Sequence, residues 1–179
     1  MRSHRVVLTS LLVGALAFVP SACKRKKVQP QATIEDGAPA LAATVHVNDP
    51  KMAEQLLTGF YDIEANAWRW TAQKFTVLLR PPAGAGQLGA TLQVHLTVPA
   101  VVIEKEKSVT LRAAIGEASF PPETYSKPGD YVFEREVPAA ALKAPAVRVN
   151  FQLDKAIPPG ATDQRELGIV VSSVGLALK

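Results

Sequence analysis

The chain has 179 residues, 47% of them hydrophobic and 20% charged, with a formal net charge of +4 and one cysteine. A lone cysteine excludes an intramolecular disulfide, and this length provides one domain with a sizeable core. Six of the 20 basic residues and none of the 16 acidic ones lie in positions 1–27, leaving 14 basic against 16 acidic from Val28 onward. The positive charge therefore belongs to the N-terminus, not to a basic domain face of the kind that binds nucleic acid.

Arg2 and Arg5 precede an apolar run from Val6 to Val19, and Ser21-Ala22 then supplies the small residues a signal peptidase accepts. As a helix the run would span roughly 21 Å, short of the about 30 Å hydrocarbon core, so residues 1–22 are predicted to be a signal peptide and not a permanent span. Cys23 follows at once. This leader resembles that of bacterial lipoproteins, whose lipobox ends in a small residue before the cysteine. Ser21, Ala22 and Cys23 match it, while Pro20 stands where the family usually has an aliphatic residue. The resemblance implies a lipid on Cys23 that anchors the exported protein to a membrane, on the periplasmic or cell-surface side. The other reading is an ordinary secretory leader with a leftover thiol.

Lys24-Arg25-Lys26-Lys27 would either lie against anionic headgroups, gaining roughly 1 kcal/mol per charge, or form a solvated tether. No aromatic interleaves with these charges, so no nucleic-acid partner is expected. Val28 to Ala43 lacks any period and carries two prolines and a glycine. Residues 23–43 therefore read as a lipidated basic tether and flexible stalk, and residues 44–179 as the domain.

Within the domain, Asp49 can cap a helix, Pro50 fits its first position, Lys51 to Thr58 supplies the turns and Gly59 suits the residue after its end. Lys74 to Arg80 reads as a strand. Ala90, Leu92, Val94, Leu96 and Val98 then alternate with Thr91, Gln93, His95 and Thr97, as a strand with one buried and one wet face requires. The pattern recurs at Val109, Leu111, Ala113 and Ile115, at Tyr131 and Phe133, and at Val147, Val149, Phe151 and Leu153, the last set facing Arg148, Asn150, Gln152 and Asp154. Leu167 to Leu178 is a final strand. Pro81-Pro82, Pro121-Pro122, Pro128-Gly129-Asp130 and Pro158-Pro159-Gly160 mark strand ends, because proline cannot donate to a ladder. The prediction is an all-β antiparallel β-sandwich with one short N-terminal helix. Leu92, Val94, Leu111, Phe133, Val149 and Phe151 should be buried, and Gln93, His95, Arg112, Arg148 and Asn150 exposed.

Motifs for chemistry are few. Gly84-Ala85-Gly86-Gln87-Leu88-Gly89 fits a dinucleotide-binding fingerprint, but that fingerprint needs a helix next and Ala90 to Val98 alternates like a strand. His4 leaves with the leader, and His46 and His95 stand apart with no metal-ligand spacing. Ser172-Ser173 lacks a glycine-flanked elbow, and Glu104 and Glu106 interleave with lysines as a solvated charge run does. The expectation is no enzyme, no cofactor and no metal.

Two segments are more particular: Gly59-Phe60-Tyr61-Asp62-Ile63-Glu64 with Trp68-Arg69-Trp70-Thr71, and Asp163-Gln164-Arg165-Glu166-Leu167-Gly168. Here the chain resembles a β-sandwich module of bacterial envelope proteins, found beside sugar-transfer enzymes, which opens with Gly-aromatic-x-x-Glu and Trp-x-Trp-Thr and closes with Asp-x-Arg-x-Leu-Gly. The resemblance covers residues 59 to 178. It implies a jelly-roll of the kind carbohydrate-binding modules use, in a glycan-handling setting, and transfers no catalytic residue. In one reading Trp68 and Trp70 fill the core while Arg69 or Arg165 pairs with Asp62, Glu64 or Asp163, stapling the first strand beside the last. In the other, one indole is a sugar-stacking platform with Arg69 and Asp62 binding hydroxyls. The expected function is a noncatalytic envelope module that binds glycan or assists polysaccharide handling, the alternative being docking to an envelope protein.

Overall fold

The computed structural model describes residues 40–179. The expected signal peptide, Cys23 and nearly all of the tether and stalk lie outside the described residues. Ten strands follow in chain order: β1 (Thr44–His46), β2 (Leu56–Glu64), β3 (Trp68–Leu79), β4 (Ala90–Val98), β5 (Val109–Ile115), β6 (Ala118–Ser119), β7 (Glu123–Tyr125), β8 (Gly129–Val137), β9 (Val147–Leu153) and β10 (Val170–Leu178). The fold is all-β, and every strand pairing is antiparallel. Among the described residues no helix is long and apolar enough to cross a membrane.

The strands form one continuous ladder in the order β6-β5-β9-β3-β10-β4-β8, with β1 beside β10, β2 beside β3 and β7 beside β5. The long β3 makes the sheet curl. Its residues Lys74 to Leu79 pair with β9, whereas Arg69 and Trp70 pair with β10, so one strand belongs to both wings. Phe75, Val77, Leu111, Val149 and Phe151 from one wing and Leu92, Val94, Phe133, Val174 and Leu176 from the other share a single buried cluster. Phe75 stacks on Phe151 at 4.7 Å between ring centroids and meets Phe60 edge-on at 5.4 Å. Burying each such side chain contributes about 1.5–3 kcal/mol.

The alternation assigns the core faces of β4, β5 and β9 in register, with all of Leu92, Val94, Leu111, Phe133, Val149 and Phe151 buried. His95, Arg112, Arg148 and Asn150 are exposed, but Gln93 is half-buried because its amide reaches across to Glu134 at 2.9 Å. The predicted helix ends early. Asp49 does cap it, accepting from the Lys51 N–H, but the turn is a 3-10 helix over Pro50–Gln55, and Leu56 already begins β2. Gln55 ends it: its buried side chain binds the Ala42 N–H and the Ala42 and Leu78 carbonyls. Gly59 is therefore no helix cap. It sits inside β2 at φ +74°, where a Cβ would come within 2.0 Å of the Lys74 carbonyl oxygen.

Helix is also more extensive than the one short N-terminal helix expected. The fingerprint loop holds one turn, α1 (Ala85–Leu88), between Gly84 and Gly89, and β4 follows it directly. Ala100–Glu106, which includes the charge run at Glu104 and Glu106, forms α2, entered through the extended Pro99 and holding Val102 buried. Its Val-Val-Ile run is β-branched, which hid the helix from a reading by propensity. A second 3-10 turn covers Ala139–Leu142. The last strand starts at Val170, and Leu167 instead makes an isolated bridge to Ile157.

Candidate functional site

The two bracketing segments meet. Gly168 N–H donates to the Thr71 carbonyl at 2.7 Å, Thr71 N–H donates to the Ile169 carbonyl at 2.8 Å, and Val170 lies opposite Trp70. Gly168 permits this approach, since a Cβ there would stand 2.6 Å from Leu153 Cδ1 and 2.9 Å from Thr71 Oγ1. Arg165 spans the junction. Its Nε and Nη2 donate to the two carboxylate oxygens of Asp163 at 3.0 and 2.8 Å, and its Nη1 donates to Glu64 Oε1 at 2.7 Å. The guanidinium also lies 5.3 Å from the centroid of the Tyr61 ring, whose hydroxyl accepts from the Glu166 N–H at 3.1 Å.

The Arg165 donors lower the Asp163 carboxyl to about 2, through the side-chain hydrogen bonds first and the Arg165 backbone N–H second. The side-chain hydrogen bonds to Asp163 first and Glu64 second raise the Arg165 guanidinium above its ordinary value. Glu64 and Asp163 thus hold this cation as a tie between the closing segment and the β2-β3 hairpin.

Among the described residues Arg69 takes no carboxylate. It lies opposite Ile63 and the buried Val171, and directly opposed residues share a sheet face, so Arg69 projects toward the core side. There its Nε and Nη1 donate to the Val47 and Tyr61 carbonyls at 2.7 and 2.8 Å. Trp68 and Trp70 do not fill the core as one reading expected. Both are half-buried, Trp70 packing against the edge of the core cluster and Trp68 meeting it edge-on at 6.4 Å between centroids. The exposed Asp62 makes no hydrogen bond with Arg69 among the described residues.

A second locus was not singled out by sequence. On the solvent face of β3, β9 and β5, Lys74 and Arg112 lie on either side of Gln152, Thr76 and Ala114 on either side of Asn150, and Leu78 beside Arg148. Two open depressions of about 780 and about 640 Å³ meet at Asn150 and form one trough along this face. Glu117 and the segment from Pro138 to Val147 flank one end, and Ser119 to Pro122 the other. Thr76 Oγ1 donates to Asn150 Oδ1 at 3.0 Å, which orients the amide and leaves its NH₂ group without a protein partner among the described residues. Alternation does place Arg148, Asn150 and Gln152 in water. The long-range pairings that set them beside Lys74, Thr76 and Arg112 leave no local signal.

No protein-family model matches this chain, and no curated protein matches it. Several solved structures share some of its course. One, described as CBM4, a carbohydrate-binding module, is 10% identical, with a TM-score of 0.36 over 76% of this chain and 85% of that one. A mutant of Xylanase10C from Cellvibrio japonicus in complex with xylopentaose is 13% identical, with a TM-score of 0.33 over 66% of this chain and 28% of the xylanase. Likeness at this level assigns neither a fold family nor a ligand.

One further cluster has the residue types of a hydrolase without its wiring. His95, Asp130 and Ser172 line a shallow depression of about 250 Å³. Ser172 Oγ donates to the His95 backbone carbonyl, and Asp130 accepts from Thr97 Oγ1, so neither bond joins the imidazole to a nucleophile or an orienting carboxylate. Among the described residues no group of three or more His, Cys, Asp or Glu is placed to hold a metal ion.

Proposed function

We propose that this chain is a noncatalytic module of the bacterial cell envelope, a β-sandwich of jelly-roll type tethered to a membrane by lipid on Cys23, which binds glycan in the trough on β3, β9 and β5 as an accessory to polysaccharide handling. The observation that carries this reading is the trough itself. Its open floor sets hydroxyl, amide and cationic side chains from three adjacent strands beside Leu78 and Ala114, and Asn150 is oriented with its NH₂ group unpartnered among the described residues. Convergent polar groups on a rigid sheet suit hydroxyl-rich ligands, because each ligand hydroxyl exchanges water for a placed partner. The curl supports the sandwich reading, since both wings bury their apolar faces in one cluster. In this reading Arg165, with Asp163 and Glu64, is a staple, and Trp68 and Trp70 support it.

The test is retention of the full chain on a panel of immobilised glycans. Asn150→Ala should weaken retention at least about fivefold, with the thermal transition unchanged. Absence of retention on every glycan, or loss of it with Trp68→Ala and not with Asn150→Ala, overturns the assignment. The outer edge of β8, which pairs with no further strand among the described residues and where Val132 is 47% exposed, favours one second reading, a strand-edge docking site for an envelope protein.

A further inference from the structure

The charges of the trough narrow its ligand. Lys74 and Arg112 stand at one end, flanking Gln152, and Arg148 stands at the other. All three are exposed, and no ion pair among the described residues engages any of them. Three such cations on one face of a domain with equal numbers of basic and acidic residues, 14 of each over residues 44–179, are a local concentration of charge. Two carboxylates lie near. Glu117 lines the Arg148 end, and Asp154, just past the end of β9 and two residues beyond Gln152, accepts from the Thr110 N–H at 2.6 Å. Three cations thus face two carboxylates, an excess of positive charge, with Glu117 at the Arg148 end and Asp154 beside the Lys74 and Arg112 end.

We infer that the trough selects acidic glycans, seating sugar carboxylates against Lys74 and Arg112 at one end and Arg148 at the other, while Thr76, Asn150 and Gln152 take the hydroxyls between. This inference rests on the glycan-binding reading and specifies its ligand class. The geometry sets the minimum length. Gln152 and Arg148 are four residues apart on β9, about 14 Å at about 3.4 Å per residue, so a single sugar cannot reach both cationic ends. An oligomer of uronic acids carries carboxylates at intervals along an extended backbone, and arginine forks match carboxylate oxygens in pairs.

The probes are oligogalacturonate and oligomannuronate, each in its acid form and its methyl-esterified form, with dextran sulfate as a polyanion of different chemistry. Binding to the full chain is measured by calorimetry at two salt concentrations. The acid form of at least one uronate should bind about tenfold more tightly than its ester. Arg112→Gln and Arg148→Gln should each weaken binding of the acid form about threefold without moving the thermal transition, and salt should weaken binding. Equal binding of acid and ester, with both Gln variants like wild type, overturns the inference and leaves the glycan reading standing. Dextran sulfate bound as tightly as the uronates overturns it as well, because the trough is then an unselective basic patch. Absence of binding by any glycan removes both.

Discussion

Arg165 closes the junction between the two ends of the domain with three charge-assisted hydrogen bonds, but its side chain and those of Glu64 and Asp163 are each about one-third exposed, at 33%, 35% and 33%. Solvent screens such a network, so Arg165→Ala should cost about 1–2 kcal/mol, less than the about 3–5 kcal/mol of a fully buried pair, and denaturant titration measures it. The acid response has a defined sign. Asp163 is held at about 2, below its ordinary 3.8, so its contribution is fully present above about pH 4 and is lost as pH falls toward 2. Replacing Asp163 with Asn should therefore flatten the fall of melting temperature between about pH 4 and 2. An unchanged slope would mean that Arg165 does not stabilise the ionised carboxylate. The segment Asp163-Gln164-Arg165 makes an Arg–carboxylate tie legible in sequence, and Glu64 is one of its candidate partners. That Arg69 would turn inward onto two backbone carbonyls is not legible, because the choice depends on where Val47 and Tyr61 lie in space.

Strands whose two faces differ in polarity announce themselves, and elements decided by tertiary contact do not. In β4, β5 and β9 each second residue must leave water, and no other register satisfies that. Phe151, 2% exposed and stacked on Phe75, should accordingly cost about 3–5 kcal/mol when truncated to Ala, against about 0.5–1 kcal/mol for the half-buried Gln93. Similar losses at the two positions would contradict the sheet's assignment. The first helix shows the opposite case. Its cap at Asp49 is local and readable, but its end is set by Gln55 reaching Leu78, 23 residues away, and by the need of β2 to pass close over β3 at Gly59. Gly59→Ala should destabilise by at least about 3 kcal/mol, because the new Cβ meets backbone in a left-handed conformation. Gly116→Ala is its control: φ is +58°, no atom lies within 4 Å of the added Cβ, and the cost should be only about 1 kcal/mol. Comparable melting shifts for the two variants would show that close packing at Gly59 is not what requires glycine.

At the scale of the molecule the curl of the sheet separates two tasks. Apolar faces of both wings turn inward, which leaves the outer face of β3, β9 and β5 free to carry polar side chains that the core does not need. Those outer side chains are individually unremarked in sequence, and only the pairing order turns them into a trough. The proposed attachment would use a different part of the chain, since the cysteine proposed to bear lipid precedes β1 by 21 positions. Anchoring and recognition should therefore be separable. Cys23→Ala should release the protein from the membrane fraction into the soluble fraction, because each buried lipid CH₂ contributes about 0.8 kcal/mol and several chains are lost together. The released protein should keep its thermal transition and its affinity for the retained glycan. Asn150→Ala should do the reverse, staying with the membrane while losing the glycan. Fractionation and glycan retention measured on both variants decide the point: a Cys23→Ala protein that still sediments with membranes removes the lipid anchor, and one that loses its glycan on release makes the membrane surface part of the binding site.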